Sequence, residues 1–377
     1  MTHHSGIVAD SISSKMARTL LSALLFSAAY ASPTPFWSNA NSSTPPRLFF
    51  TTTQRTNGST SDSMIHTGIV SGSTMVLTNF SVPSTIEAIA VDAKSQSVYT
   101  KEGYFNDSYY QHSLFRWSYD GRVQSLVLAV APDRYGNLQV ATVANQTQLY
   151  FIDGNWDSGI DAFYYGDTQP TKVRRVNLDG SGVKTLLYPE SMTCRPIPGW
   201  RTCEDFRYVQ KLAIDEAMGY IYFTVAFGSG ALWRMPIERR ANETLANRSD
   251  IELLLHSSSD IVDIKFADGV LYWIENPYRY RVIQDQVWKW PATYGGNKLT
   301  PETMTGKVML GETMTPYNET TTVGLRGLGI DKANRELWAL HYGDIFYTVG
   351  MDGGNLTRLN LSLGLPPDRA IERFVVV

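Results

Sequence analysis

A recurring pair of strands with a fixed aspartate-to-aromatic step constrains this chain more than any other feature. Glu87-Ala-Ile-Ala-Val-Asp92 leads to Val98-Tyr99, Gln210-Lys-Leu-Ala-Ile-Asp215 leads to Ile221-Tyr222, and Arg326-Gly-Leu-Gly-Ile-Asp331 leads to Leu337-Trp338. In all three the aspartate precedes the aromatic by seven residues. Weaker copies run from Val140 to Tyr150 and from Val262 to Tyr272, and an incomplete one begins at Arg47-Leu-Phe-Phe50. The key aromatics are Phe49, Tyr99, Tyr150, Tyr222, Tyr272 and Trp338, at spacings of 50, 51, 72, 50 and 66, so six copies fit. A unit this small cannot bury its own apolar face and must stack on its neighbours.

Each copy continues into two further strands, often through an Asp-Gly hairpin such as Asp120-Gly121, Asp179-Gly180 or Asp352-Gly353. Helical periodicity is scarce, while short Val-, Ile-, Tyr-, Phe- and Trp-rich runs alternate with turn residues, so the fold class is all-β. Four strands per repeat, six times, predict a six-bladed β-propeller. The first copy lacks an inner strand and Ile371–Val377 is a strand left over, so the C-terminus is expected to close the ring beside Leu48–Thr51. The domain plan is therefore residues 1–31 as an N-terminal extension and signal peptide, 32–46 as a lead-in and 47–377 as a single propeller.

The signal rests on Lys15 and Arg18, the apolar run that follows, and small residues at Ala29 and Ala31, with cleavage expected before Ser32. Ten Asn-x-Ser/Thr sequons agree with a secretory route: Asn41, Asn57, Asn79, Asn106, Asn145, Asn242, Asn247, Asn318, Asn355 and Asn360. The two cysteines, Cys194 and Cys203, read in an oxidising compartment as one disulfide closing a short loop, since metal binding would need His or Cys neighbours that the segment lacks. A hydrophobic fraction of 43% excludes a disordered chain, and a net charge of −3 supplies no global field for nucleic acid. No apolar run after the N-terminus is long enough to span a membrane.

The inner strand ending in Asp, followed by segments such as Tyr272-Trp-Ile-Glu275 or Tyr150-Phe-Ile-Asp153 and then Asn177-Leu-Asp-Gly-Ser181, resembles the YWTD six-bladed propellers of the lipoprotein-receptor family. The resemblance covers about residues 45–377 and implies that fold. No complete Tyr-Trp-Thr-Asp occurs, and the fourth position is Val225 in one copy and His341 in another.

Alignment of the copies brings Glu87, Gln210, Asp263 and Arg326 to the start of inner strands, with Glu372 of the closing strand beside them, as a polar ring at the channel mouth. Loops after the aromatic strands are rich in rings: Tyr104, Phe105, Tyr109 and Tyr110; Trp156, Phe163, Tyr164 and Tyr165; Tyr278 and Tyr280; His341 and Tyr342. Amphipathic rings converging on one face suit a small-molecule pocket. Histidines lack metal-ligand spacing, and no Gly-x-Ser-x-Gly elbow or phosphate-cradling loop occurs.

Three function classes follow. The first is a secreted protein-binding module of YWTD type. The second is a calcium-dependent lactonase or esterase, with Glu87 and Asp263 as ligands, although Arg326 would place a cation in the same ring. The third rests on a second resemblance. A signal peptide, many sequons, few cysteines and a degenerate six-bladed propeller together look like the fungal hetero-Diels-Alderases of tropolone-sesquiterpenoid biosynthesis. That resemblance implies a cyclase joining a tropolone-type o-quinone methide to a humulene-type alkene, with small apolar substrates and no cofactor or metal. Its catalytic set would be Arg326, Tyr164 and Tyr165. Glu87, Trp156, Gln210, Asp263, Tyr278, His341 and Tyr342 would line the substrate site. Oligomeric state is not encoded in any of these features.

Overall fold

The computed structural model describes residues 45–54, 63–71, 74–106, 109–130, 137–154, 171–188, 194–196, 203–205, 209–225, 230–245, 248–257, 259–276, 278–279, 282–292, 307–316, 324–341, 344–366 and 368–377. Among them there is no helix, hence none long and apolar enough to cross a membrane.

Six sheets form the blades, each built outward from an inner strand. Blade 1 runs β27 (Arg369–Val376), β1 (Arg47–Gln54), β2 (Ser63–Ser71), β3 (Thr74–Val82). Blade 2 runs β4 (Thr85–Asp92), β5 (Ser97–Asn106), β6 (Tyr109–Ser118), β7 (Gln124–Val130), and blade 3 runs β8 (Leu138–Val143), β9 (Gln146–Asp153), β10 (Lys172–Asn177), β11 (Lys184–Leu187). A detached hairpin, β12 (Cys194–Pro196) with β13 (Cys203–Asp205), interrupts the series and accounts in part for the long step from Tyr150 to Tyr222.

Blade 4 is β14 (Val209–Asp215), β15 (Tyr220–Val225), β16 (Ala231–Pro236), β17 (Glu252–His256). Blade 5 is β18 (Asp260–Ala267), β19 (Val270–Asn276), β21 (Val282–Pro291), β22 (Val308–Pro316), with the two-residue β20 (Tyr278–Arg279) folded back on β21. Blade 6 is β23 (Leu325–Asp331), β24 (Glu336–His341), β25 (Ile345–Gly350), β26 (Thr357–Leu359).

Local turn chemistry explains the first half of each repeat. Asp92, Asp215 and Asp331 accept hydrogen bonds from backbone N–H groups of Lys94, of Ala217 and Met218, and of Asn334, which reverses the chain after the inner strand. The repeated aspartates are thus turn caps. Blades 3 and 5 use two-residue turns instead, with both central residues at positive φ: Ala144 (49°) and Asn145 (64°), Asp268 (52°) and Gly269 (77°). That pattern belongs to type I′ hairpins, whose twist matches the flanking strands.

The core lies between blades. Its buried apolar residues fall into six clusters, one for each pair of adjacent blades around the ring. Every repeat aromatic is at most 2% exposed. Each packs toward the following blade: Phe49 toward blade 2, Tyr99 toward blade 3, Tyr150 toward blade 4, Tyr222 toward blade 5, Tyr272 toward blade 6 and Trp338 toward blade 1. The aromatic recurs because each interface needs one large wedge.

Closure follows the expected route. β27 pairs antiparallel with β1, from Gln54↔Arg369 through Phe50↔Phe374 to Leu48↔Val376, so the C-terminal strand is the inner strand of blade 1. Phe374 and Val376 press on β23, where a Cβ at Gly329 would stand 2.7 and 2.9 Å from their atoms, so that position accommodates only glycine. Across the ring β27 neighbours β4 and β23, and the remaining contacts run β4–β8, β8–β14, β14–β18 and β18–β23.

Candidate functional site

At one depth, inner and second strands slip against each other by one residue. The surplus residue is Glu87 in β4, Gln210 in β14, Val262 in β18, Arg326 in β23 and Glu372 in β27. In blade 3 the equivalent position lies outside the described residues. Bulges re-aim side chains, and here they form a ring near the start of the inner strands. Connections between second and third strands depart at this same end, including those after Asp153 and Asn276. Pairing also revises one assignment: Val262, not Asp263, is the counterpart of Glu87, Gln210 and Arg326.

The residues immediately after the bulges form a second ring, one per blade. They are Arg373, Ala88, Lys211, Asp263 and Gly327, paired opposite Thr51, Lys101, Thr224, Ile274 and Leu340, with Asn137 of blade 3 bonded through its carbonyl to the Ile152 N–H. All six border a cavity of about 60 Å³. That volume holds a few waters or one small ion; drug-sized ligands occupy roughly 300–1,000 Å³. Among the described residues, four cationic side chains border it (Lys211, Lys265, Arg326, Arg373) against two anionic ones (Asp263, Glu372). In a chain of net charge −3, the described lining is locally cationic.

Arg326 borders this cavity, held by Asp344 Oδ1 at 3.1 Å and by the Ile371 carbonyl. Asp344 also accepts from the Ile371 N–H at 2.9 Å, so this carboxylate ties blade 6 to the closing strand. Asp263 accepts from the N–H groups of Ile264 (2.9 Å) and Leu328 (2.8 Å) and pairs with Lys265 at 3.3 Å. Its carboxylate is committed to its own strand and, through the Leu328 N–H, to blade 6.

Glu87 turns into blade 2, with Oε1 3.1 Å from His112 Nδ1 and Oε2 3.7 Å from Lys101 Nζ. Lys101 is fully buried and also reaches the Ile152 carbonyl of blade 3 at 3.4 Å. This buried Lys101–Glu87–His112 set was not apparent from sequence, because only the blade pairing unites the three residues.

Gln210 is half-buried at its bulge and is not among the residues bordering the cavity. His341 is buried at the end of β24, its ring 5.9 Å from that of Tyr347. Tyr278 pairs through its backbone with Ile283 in β20–β21. The side chain of Tyr278, and Trp156, Tyr164, Tyr165 and Tyr342 altogether, lie outside the described residues.

Acidic groups three residues beyond the repeat aromatic bind neighbouring strands rather than a ligand. Glu102 accepts from Ser84 (2.8 Å), Thr100 (2.5 Å) and Trp117 Nε1 (2.8 Å), and burial pushes its carboxyl up against the opposing pull of those bonds. Glu275 accepts from Trp273 Nε1 (2.8 Å), Ser257 (3.0 Å) and Lys307 (2.9 Å). Asp285 on β21 is fully buried, and burial pushes it up to about 7 against the opposing pull of the Leu325 backbone N–H. No group of three or more metal-ligating side chains occurs among the described residues.

No family model matches the chain. A stretch of 118 residues is 26% identical to the low-density lipoprotein receptor-related protein 1 of Pyricularia oryzae, covering 30% of this chain and 36% of that protein. The match thus spans about a third of that relative's length. Among solved structures, the β-propeller domain of Myceliophteria thermophila Cps50 (Swd1) aligns over 79% of this chain and 83% of its own, at 9% identity and a TM-score of 0.41. The propeller assignment rests on strand pairing and on the closed order of inner strands.

Of the sequons, Asn79, Asn145, Asn242, Asn355 and Asn360 have described side chains, and all five are exposed. The cysteines occupy one hairpin, with Cys194 opposite Asp205 and Cys203 opposite Pro196, which sets them diagonally across the β12–β13 ladder.

Proposed function

We propose that this propeller is a secretory-pathway enzyme acting on small apolar molecules at the bulge-ring mouth. Its reaction is a hetero-Diels-Alder cyclisation joining a tropolone-type o-quinone methide to a humulene-type alkene. The observation that carries the reading is Arg326: a guanidinium re-aimed by a bulge, anchored by Asp344 and the Ile371 carbonyl, and bordering the channel at the end where the aromatic-bearing connections depart. A donor fixed before substrate arrives stabilises charge building on the quinone-methide oxygen without reorganisation. The cycloaddition itself needs alignment of two partners rather than a nucleophile.

A cavity of about 60 Å³ admits neither partner, so both lie above the ring, with only the oxygen reaching toward Arg326. Secretion and glycosylation belong to the same proposal and draw support from the exposed sequons. The calcium-dependent hydrolase fits less well, since the six channel-facing equivalents include one carboxylate and two cations. A protein-binding propeller is the second reading, favoured by the lipoprotein-receptor-like stretch.

The test is incubation of the purified protein with a quinone methide generated in situ and humulene, followed by chiral chromatography of the adducts. The expected result is acceleration over buffer with one dominant stereoisomer, and Arg326→Gln lowering kcat on the order of 100-fold with a smaller change in KM. Absence of acceleration by the wild-type protein overturns the cyclase and leaves the binding reading.

A further inference from the structure

We propose that Asp285 and Asn276 are positioning residues for the channel mouth: together they grip the peptide on which the Arg326 bulge is built, and a proton on Asp285 decides how firmly. The inference does not rest on the cyclase reading, because it concerns where Arg326 stands and not what Arg326 binds.

The residue just before a bulge recurrently gives its N–H to a side chain on, or just before, the third strand of the preceding blade. Ile86 donates to Ser63 Oγ (3.2 Å), Val209 to Thr171 Oγ1 (3.0 Å), Ile371 to Asp344 Oδ1 (2.9 Å) and Leu325 to the Asp285 carboxyl. Each bond fixes one side of a bulge whose surplus residue is aimed at the mouth. Two of these holders are neutral hydroxyls. Asp344 is 22% exposed and paired with Arg326, so its charge has both water and a counterion. Asp285 is the one fully buried carboxyl of the four.

Leu325 is held twice. Asn276 Nδ2 donates to its carbonyl at 3.1 Å. The N–H and C=O of one extended residue point the same way, so the carboxyl and the amide that bind them stand side by side. The ladder agrees: β19 and β21 pair up to Glu275↔Gln286, which makes Asn276 and Asp285 the next positions on the two strands. Ile274 and Val287, two residues away on each strand, belong to the cluster between blades 5 and 6, so both groups face blade 6.

Asn276 Oδ1 is buried there without a hydrogen-bond partner. A protonated Asp285 is a donor beside it. An ionised Asp285 is a second acceptor, and a buried pair of acceptors repels. Burial pushes Asp285 up to about 7, so the proton is held on the acid side of neutrality and lost above it. The Asn276 amide then turns its Nδ2 to the carboxylate and releases the Leu325 carbonyl, and the Arg326 bulge loosens.

Other charged groups on the surrounding strands, among the described residues, have different surroundings. Asp260 on β18, opposite Asn276, is exposed, and Asp263 is bound by Lys265 and the Leu328 N–H. Glu275 is bound by Ser257 of blade 4 and by Lys307, Lys289 donates to the Met351 carbonyl at 2.9 Å, and Glu312 on β22 is exposed. From blade 6, Arg326 is paired with Asp344, and His341 lies opposite Leu325 with its ring against Tyr347. An imidazole can take up a proton over the same range, so His341 needs its own control.

The experiment is amide hydrogen exchange of the full protein at pH 6 and pH 8, read by mass spectrometry on peptic fragments and corrected for intrinsic rates. Segment 324–328 is compared with segments 85–88 and 209–212, whose holders are hydroxyls. In the wild type, protection of 324–328 should fall at least about tenfold more than that of the two controls on going to pH 8. In Asp285→Asn, whose amide N–H stands permanently in place of the proton, all three segments should change in step. Asn276→Leu should lower protection of 324–328 at both pH values, and His341→Phe should keep the wild-type response. If Asn276→Leu or His341→Phe does not fold, the wild type and Asp285→Asn decide the matter. Three segments moving in step in the wild type, a response retained in Asp285→Asn, or a response lost in His341→Phe overturns the proposal.

Discussion

Removal of the closing strand is the sharpest test of the architecture. Deleting residues 369–377 removes Ile371, Phe374 and Val376, each at most 8% exposed in the intact protein. Full burial of such a side chain contributes about 1.5–3 kcal/mol, so the three together contribute about 5–9 kcal/mol. The loss extends to Leu48, Phe50, Trp338 and Leu340, which share their cluster, and to the ladder bonds of β1. Domains of ordinary stability have about 5–15 kcal/mol in total, so the truncated chain should show no cooperative urea transition by circular dichroism or tryptophan fluorescence.

A circular permutant separates loss of the strand from loss of chain length. Arg47 N–H donates to the Val377 carbonyl at 3.0 Å and Val377 N–H returns a bond at 2.9 Å, so an Asn-Gly hairpin can join these ends while the chain is reopened between Val82 and Ser84. The permutant should regain a single transition. A truncated protein melting at the wild-type midpoint would refute the closure and the interface accounting behind it.

Four further predictions concern single groups or pairs of groups. Arg248 and Asp250 form a buried pair (0% and 2% exposed, 2.8 Å), and Arg248 also donates to the carbonyls of Leu186 and Pro236; Arg248→Met should cost about 3–5 kcal/mol in urea melts, and a cost under about 1 kcal/mol would show the pair to be dispensable. Asp285, with its carboxyl raised to about 7, contributes stability below its unfolded pKa that is lost as pH rises toward 7. Asp285→Asn should therefore gain on wild type by up to about 4 kcal/mol at pH 8 and little at pH 4. His66 runs the other way: lowered to about 4 by burial and then by Arg369, it contributes stability present above its unfolded pKa and lost as pH falls through the folded value. His66→Gln should remove about 3 kcal/mol of rise between pH 4 and 6.5, and parallel pH profiles for wild type and variant would exclude either assignment. Cys194 and Cys203 should give no free thiol in the purified protein kept from reductant, and reduction should cost about 3 kcal/mol or less without unfolding the propeller; two titratable thiols before reduction would disprove the bond.

Blade number, strand order and closure were legible because packing writes them into the chain. Phe49, Tyr99, Tyr150, Tyr222, Tyr272 and Trp338 recur as inter-blade wedges, and Asp92, Asp215 and Asp331 recur as caps of the turns that follow. The channel was legible only to within one residue. A bulge leaves no mark in composition, since Glu87, Gln210, Val262, Arg326 and Glu372 share no chemistry and share only a register. For that reason alignment of the repeats sets Asp263 one place early, and nothing in it singles out Lys211, Arg373 or Asn137. Lys101 and His112 escaped for a related reason: their partner Glu87 lies on a different strand from either, and no local spacing encodes the meeting.

Placing the surplus residue at a common depth uncouples two parts of each inner strand. Below the bulge, alternation is locked to the wedges between blades, where a slip of one residue would turn core side chains outward. Above it, the strand has already lost phase with its partner, so a residue gained or lost there is absorbed at the rim and never reaches the wedges. Chemistry at the mouth can then be rewritten blade by blade, in charge, size or loop length, while the gearing beneath keeps the same teeth.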